Sequence, residues 1–431
     1  MEWIDVAVLG GTFFSLLMLG VPVAYSIGIS TLAAMLLSVL PGPSVTTVAQ
    51  RMATGLDSFT LLAIPFFVLA GQLMNRGGIA RRLIALAQGA IGRLPGGLAH
   101  VNVLAAMLFG AISGSAVAAA TAVGGTMGPV MKREGYDASY AAAVNITSST
   151  TGLIIPPSNI LIIYSLASGG VSIASLFLAG YVPGIVVGGL LMLVAGVIAL
   201  KRGYPRAEPT AFGELARLFV DAVPSLFLLV VVMGGIVAGV FTATEAAAVA
   251  VLYALVLAFL YRELKVSDLP KVLLDSATTT AIVMLLIATS LAMSWVMAYA
   301  NIPQSVTASL LALTDSPIAI LLMINLVLLV VGTFMDMTPA VLIFTPIFLP
   351  IAVDLGIDPV HFGIIMVLNL CIGLCTPPVG AVLFVGVGVA GTTIERVVKP
   401  LLPLFLAMIV ALLVVTFVPA LSLWLPRLFG Y

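Results

Sequence analysis

Shifted against itself by 221 residues, the chain aligns without gaps at its rarest backbone-directing residues. Pro129 falls on Pro350, Gly135 on Gly356, Asp137 on Asp358, Gly152 on Gly373, Leu153 on Leu374, and Pro156–Pro157 on Pro377–Pro378. Both halves carry G-x-D followed by G-L-x-x-P-P at one spacing. Glycine and proline are sparse in apolar helices and dictate backbone geometry where they occur, so chance does not produce this pattern. The chain is an internal duplication, and its fold is built from two copies of one unit.

That unit belongs in lipid. The 431 residues are 62% hydrophobic and 8% charged, too little charge to cover a soluble surface. Apolar runs at Leu190–Leu200, Leu226–Val240 and Leu401–Val418 approach the ~20 residues that a helix needs to cross a bilayer. Period-2 alternation is not visible, and the richness in Ala, Leu and Gly suits helix packing in a membrane, so the expected class is an all-α polytopic membrane protein. Met1–Asp5 carries no basic leader and no small-residue cleavage site follows, so the first apolar run is expected to be a retained span.

Each half reads as two spans, a short amphipathic segment, a third span, a hairpin, a broken span and a last span. The expected crossings are 4–20, 22–40, 59–75, 138–168 and 174–200, then 222–240, 244–261, 277–298, 359–390 and 400–425. Five per half is odd, so the second half is inverted. Basic residues test this separately. With the N-terminus outside, Arg76, Arg81, Arg82, Arg93, Lys132, Arg133, Lys201, Arg202, Arg206, Arg217, Arg262, Lys265, Lys271, Arg396 and Lys399 share one side, leaving Arg51 and Arg427 on the other. This positive-inside bias, 15 of 17, holds only if 96–132 and 317–352 each enter and leave on one side, as re-entrant hairpins. The division is therefore 1–200 for the first repeat, 201–221 for a cytoplasmic linker and 222–431 for the second repeat, with both termini periplasmic. Segments 76–94 and 262–275 read as amphipathic helices at the cytoplasmic interface, either solvated connectors or arms bracing a moving domain.

Four polar, Gly/Pro-interrupted stretches form two symmetric pairs. The first hairpin turns at Ser113–Ser115, and its broken span reads Thr147 to Asn159; the second turns at Gly332–Thr338, with its break at Gly373–Pro378. A double proline removes two donors and opens the preceding turn, so carbonyls near Gly152–Ile155 and Gly373–Thr376 are expected to lose their helical partners. At membrane depth something else must satisfy them, and a sodium ion with nearby hydroxyls does so. Helix N-termini at the tips suit an anionic carboxylate. The expected first sodium site is Ser113, Ser115, Ser149, Thr150, Gly152 and Pro156. The second is Gly332, Thr333, Asp336, Gly373, Cys375, Thr376 and Pro377. Substrate is expected at Ser113, Gly114, Ser115, Ser158, Asn159, Asp336 and Thr338. The plain alternative for one break is a proline kink with Ser/Thr bonding back to the previous turn; two matched breaks facing two tips favour a site.

Asp336 is an ionisable group inside an apolar segment, either a cation partner or an N-cap for a helix starting near Pro339. His100 and His361 are expected at the interface, Glu245 beside a turn in solvent, and Cys371 and Cys375 as small packing residues. No enzyme motif and no Walker loop is present, so the chain is not read as an enzyme or an ATPase, and coupling would use an ion gradient. No cofactor is expected, and zero net charge gives no reason to expect nucleic acid.

The stretches Gly110–Ala116, Met131–Asp137, Gly152–Ser158, Gly332–Asp336, Gly356–Gly363 and Gly373–Gly380 closely resemble the large membrane subunit of the tripartite ATP-independent periplasmic (TRAP) transporters, over nearly the whole chain. The resemblance implies sodium-driven uptake of a small organic acid (a dicarboxylate, sialic acid or other carboxylate) by an elevator mechanism in a bacterial inner membrane. It also implies two partners, a small four-helix membrane subunit and a periplasmic substrate-binding protein. The chain starts at the first large-subunit span, so the small subunit is expected as a separate polypeptide. Many relatives carry an acid after the first tip where this chain has Ala118–Ala120, which leaves the side-chain ligands of the first sodium site open. The competing readings are a standalone sodium-coupled anion carrier and a channel or structural membrane protein.

Overall fold

A computed structural model describes residues 2–38, 40–205, 211–314, 316–377 and 379–431. The second proline of the second pair, Pro378, lies outside the described residues, as do Arg206 and Asp315. Among the described residues the chain is helical throughout, with no strand. The first half contributes α1 (Glu2–Met18), α2 (Val23–Ser38), α3 (Pro41–Leu56), α4 (Ala63–Arg76), α5 (Ile79–Ile91), α6 (Gly97–Ser113), α7 (Ala116–Arg133), α8 (Ala138–Ser149), α9 (Asn159–Ala167) and α10 (Ile173–Lys201). The second contributes α11 (Phe212–Val237), α12 (Ala243–Leu260), α13 (Leu269–Tyr299), α14 (Ile302–Leu313), α15 (Pro317–Phe334), α16 (Met337–Asp354), α17 (Pro359–Gly373), α18 (Ala381–Ala390), α19 (Ile394–Phe417) and α20 (Ala420–Leu428). The starts of α7 and α16, and of α8 and α17, differ by 221, the offset of the sequence match.

Among the described residues, eight helical segments are long and apolar enough to cross a membrane. They are not the ten expected crossings: the broken spans divide into shorter helices and α1 and α2 fall short of 18 residues, while both arms of the second hairpin reach that length. Three expected boundaries shift for identifiable reasons. Residues 262–275 do not form a separate amphipathic helix: a short 3-10 turn at Val266–Asp268 runs into α13 without a break. In the first half the chain leaves the helix at Asp57–Ser58; their counterparts Thr278 and Thr279 instead donate their hydroxyls to the carbonyls of Leu274 and Asp275 and stay helical. The expected span 400–425 divides at Val418 and Pro419, since Val418 takes φ −122° and ψ 79° before a residue that cannot donate to the helix. The linker is shorter than 201–221, because α11 begins at Phe212.

The helices pack in two groups, and each group draws on both halves. In one, α4 lies on α12, α2 and α3 lie on α13, and α5 lies on α11. In the other, α6, α7 and α8 pack together, α18 lies on α7, α19 on α8, and α15 on α17. Contacts between the groups run through α5 and α4 on α6 and through α13 on α16. The expected basic end is visible inside the first group. Arg76 pairs with Asp275, Arg81 pairs with Glu263, and the Arg82 guanidinium lies 3.5 Å from the centre of the Tyr261 ring.

His361 is packed inside the protein near the start of α17. It is 2% exposed between α17 and α19, with Nε2 3.3 Å from the Thr416 carbonyl. His100 is half-buried, its Nε2 3.1 Å from the Pro95 carbonyl. Glu245 is in solvent as expected, and also closes a capping box with Thr242 at the start of α12.

Candidate functional site

Both hairpin tips and both breaks line one cavity of about 250 Å³. The first tip closes through Gly114, whose φ of +61° ends α6 in a left-handed turn suited to a residue without Cβ. The second tip turns through Met335 with extended angles, so it needs no glycine and shows none at that position. Behind each tip, the first hairpin arm presses a glycine onto a glycine of the break. A Cβ added to Gly152 would lie 2.2 Å from the Gly110 Cα, and one added to Gly373 would lie 2.6 Å from the Gly332 Cα. These glycine contacts seat the breaks directly behind the tips.

Four helix N-termini meet the cavity: α7 at Ala116, α16 at Met337, α9 at Asn159 and α18 at Ala381. Only α7 has a side-chain cap, the Ser115 hydroxyl accepting from the Ala118 amide at 3.2 Å. Positive dipole ends therefore converge from four directions, with the Val382 and Leu383 amides of α18 already held by the Leu374 carbonyl. Asp336 occupies the N-cap position of α16, which starts at Met337, and its exposed side chain lines the cavity. Ser113, Gly114, Ser115, Asn159 and Thr338 line the same space.

The remaining expected site residues sit behind the wall. Ser149 and Thr150 are fully buried and donate their hydroxyls to Asn145 and Thr147 carbonyls at 2.6 and 2.9 Å. Thr333 and Thr376 likewise bond back to Leu329 and Ile372. Each hydroxyl proton is thus spent in its own helix, while its oxygen keeps lone pairs for a further contact. Only part of the expected carbonyl set is free. Leu153 accepts from the Ser158 hydroxyl, Gly373 from the Thr376 amide, and Leu374 from the Val382 and Leu383 amides. Gly152, Pro156 and Pro377 in the breaks, and Gly332 in α15, do not line the cavity. Cys375 faces elsewhere: its thiol donates to the Ile146 carbonyl at 3.4 Å, and Cys371 does the same to Thr150, joining the two broken helices. Both cysteines are buried and free.

Three polar cavity residues escaped the sequence reading: Gln72 and Asn75 on α4, and Thr279 on α13. Gln72 and Asn75 are three residues apart in an apolar helix, hence on one face, and that spacing was the available signal. They form the wall opposite the tips. Gly71 lets the first tip approach, since a Cβ there would lie 2.8 Å from the Ser113 carbonyl oxygen.

Among known proteins, the family of the tripartite ATP-independent periplasmic transporter, DctM component, matches residues 11–421. The chain belongs to this family. It is 56% identical to the uncharacterized protein YgiK of Salmonella typhimurium over 99% of this chain and 98% of that one. It is 38% identical to the C4-dicarboxylate TRAP transporter large permease protein DctM of Rhodobacter capsulatus, over 97% and 98% of the two chains. In fold it is similar to the YdaH transporter of Alcanivorax borkumensis, with a TM-score of 0.64 at 14% identity, covering 89% of this chain and 88% of that one. A TRAP large permease is a multi-pass membrane protein and a transporter subunit, not an enzyme.

Proposed function

We propose that this permease takes up a small organic acid into a bacterial cell, driven by a sodium gradient, after a periplasmic binding protein delivers the acid to it and a small membrane subunit. The convergence of four helix N-termini on one cavity carries the reading, because that field favours an anion and disfavours a cation alone. Asp336 adds a negative charge to the same cavity. An anion entering beside that carboxylate is repelled unless a cation comes with it, which is a physical reason for symport. Sodium suits a place where hydroxyl oxygens and backbone carbonyls gather behind the tips, near Ser149, Gly152, Gly373 and Thr376. The organic-acid class is supported by the dicarboxylate permease among its relatives.

An elevator movement fits the packing. The tips and breaks belong to one helix group, the wall of Gln72, Asn75 and Thr279 to the other, and the cavity lies between them. Sliding one group along the other would carry the bound acid past a fixed wall. In proteoliposomes holding the permease and its small subunit, with binding protein outside, uptake of the delivered acid requires an inward sodium gradient. Undiminished uptake in sodium-free buffer at fixed pH and potential overturns sodium coupling; uptake without any binding protein points to a standalone carrier.

A further inference from the structure

The wall of the main cavity that faces the tips is not uniform. Ile64 and Val68 on α4 and Val283 on α13 are apolar, whereas Gln72, Asn75 and Thr279 are polar. On α4 the change comes at Gly71, where the first tip presses closest, so both amides lie beyond that contact, toward Arg76. Gly71 and Asn75 are four residues apart, which is ~6 Å along the helix. Gln72 is half-buried and Asn75 exposed, and neither makes a side-chain hydrogen bond among the described residues. Thr279 gives its proton to the Asp275 carbonyl at 2.9 Å and keeps its oxygen lone pairs for a further contact.

The internal duplication supplies a comparison within the same molecule. At the matching positions of α13, Met293 stands where Gln72 does and Val296 where Asn75 does, and both are buried. The repeated unit therefore does not require amides at this place. In a membrane helix a side-chain amide without a protein partner is costly unless water or a ligand meets it. The cavity also lacks something: among the described residues its lining holds no Lys, Arg or His. One carboxylate at the tips is met by the helix N-termini, but a second, at the wall, would find no side-chain cation and would share the cavity with Asp336.

We propose that Gln72 and Asn75 are specificity-determining residues that hydrogen-bond hydroxyls at the uncharged end of the acid, so that the permease selects a hydroxylated monocarboxylic acid over an apolar or dicarboxylic chain of the same length. Each amide offers both a donor and an acceptor, and so satisfies a hydroxyl in either role. A site whose polar groups are built to meet a hydroxyl rejects the analogue that lacks it, because those groups are then left unpaired. The inference rests on the reading of this cavity as the place where the acid binds.

The test is calorimetric titration of the purified full-length permease, in sodium buffer, with D-gluconate and three comparators of the same chain length: hexanoate (no hydroxyls), adipate (a second carboxylate in place of the hydroxyls) and sorbitol (no carboxylate). Gluconate is expected to bind more tightly than about 10 mM and at least about tenfold better than each comparator. Gln72→Met and Asn75→Val, which import the residues of the second half, are each expected to lower the preference for gluconate over hexanoate at least about threefold, and about tenfold together. Either single variant suffices if the pair fails to fold. A change that only loosened the structure would weaken both acids alike and leave their ratio unmoved, whereas Asn75→Gln, which keeps the amide, is expected to keep most of the preference. An unmoved ratio in the folded variants, or hexanoate or adipate binding as well as gluconate, overturns the proposal while leaving the cavity an anion site. Sorbitol binding as well as gluconate overturns the anion reading and the proposal with it. Absence of gluconate binding overturns the proposal too, and the anion reading then stands or falls with hexanoate and adipate.

Discussion

Among the described residues Asp336 is the only acidic side chain lining the main cavity, and it stands at the N-cap position of α16. Asp336→Asn keeps size and polarity while removing charge. It is expected to raise the sodium concentration for half-maximal uptake by about 10- to 100-fold, the range of a contact to a charged group. Ser149→Ala and Thr376→Ala each remove one neutral oxygen already donating to its own helix, and about threefold is expected. Wild-type sodium curves for all three, in folded protein, would leave the breaks as proline kinks. The glycine pairs make a separate prediction about stability. Gly152→Ala and Gly373→Ala each push a methyl to within 2.2–2.5 Å of opposing backbone, so thermal unfolding in detergent is expected to show losses of about 3 kcal/mol. Gly125→Ala on α7 meets nothing within 4 Å and is expected to be neutral or slightly stabilising. The breaks and tips were legible in sequence because glycine and proline act through the local backbone. Which side chains face the cavity was not, since the back-bonding of Ser149 and the turn of Cys375 toward Ile146 depend on neighbours far away in the chain.

At the scale of elements, the hairpins and broken helices followed the sequence boundaries closely, with α6–α7 and α15–α16 filling the segments assigned to them. The misses share a physical cause. Sequence periodicity does not decide whether polar residues end a helix or bond back inside it, and Asp57–Ser58 and Thr278–Thr279 take opposite courses at matched positions. The same end of the molecule shows why the basic residues on α4 and α5 matter beyond topology. Arg76 and Arg81 reach across the halves to Asp275 and Glu263, tying α4 and α5 of the first repeat to the second repeat. Arg76→Asp is expected to lower stability by about 1 kcal/mol, a modest loss because the pair is partly exposed and water screens it. Adding Asp275→Arg is expected to restore most of that loss in thermal unfolding, as a charge swap preserves attraction. If the double variant is no more stable than Arg76→Asp alone, the pair contributes nothing as a pair.

For the whole molecule, inversion of the second half is the assumption on which the orientation of the cavity rests. The two tips meet at one cavity, so the base of each hairpin lies one arm away from it, and opposed hairpins have bases at opposite ends. The base of the first hairpin is tied to the end of α10: the Tyr136 hydroxyl donates to the Pro205 carbonyl at 3.2 Å, and Arg202 lies 3.8 Å from Asp137. Lys132, Arg133, Lys201 and Arg202 therefore gather at one end, as a positive-inside arrangement requires. Lys201 at the end of α10 and Ser316 before α15 are both exposed, while Cys371 and Cys375 are buried and give a silent background. With a membrane-impermeant thiol reagent added outside intact cells, Ser316→Cys is expected to label and Lys201→Cys to label only after the membrane is opened. The reverse pattern would turn the molecule over, placing the base of the first hairpin in the periplasm. Labelling of both from outside would place the two bases on one side, which two inverted repeats cannot produce.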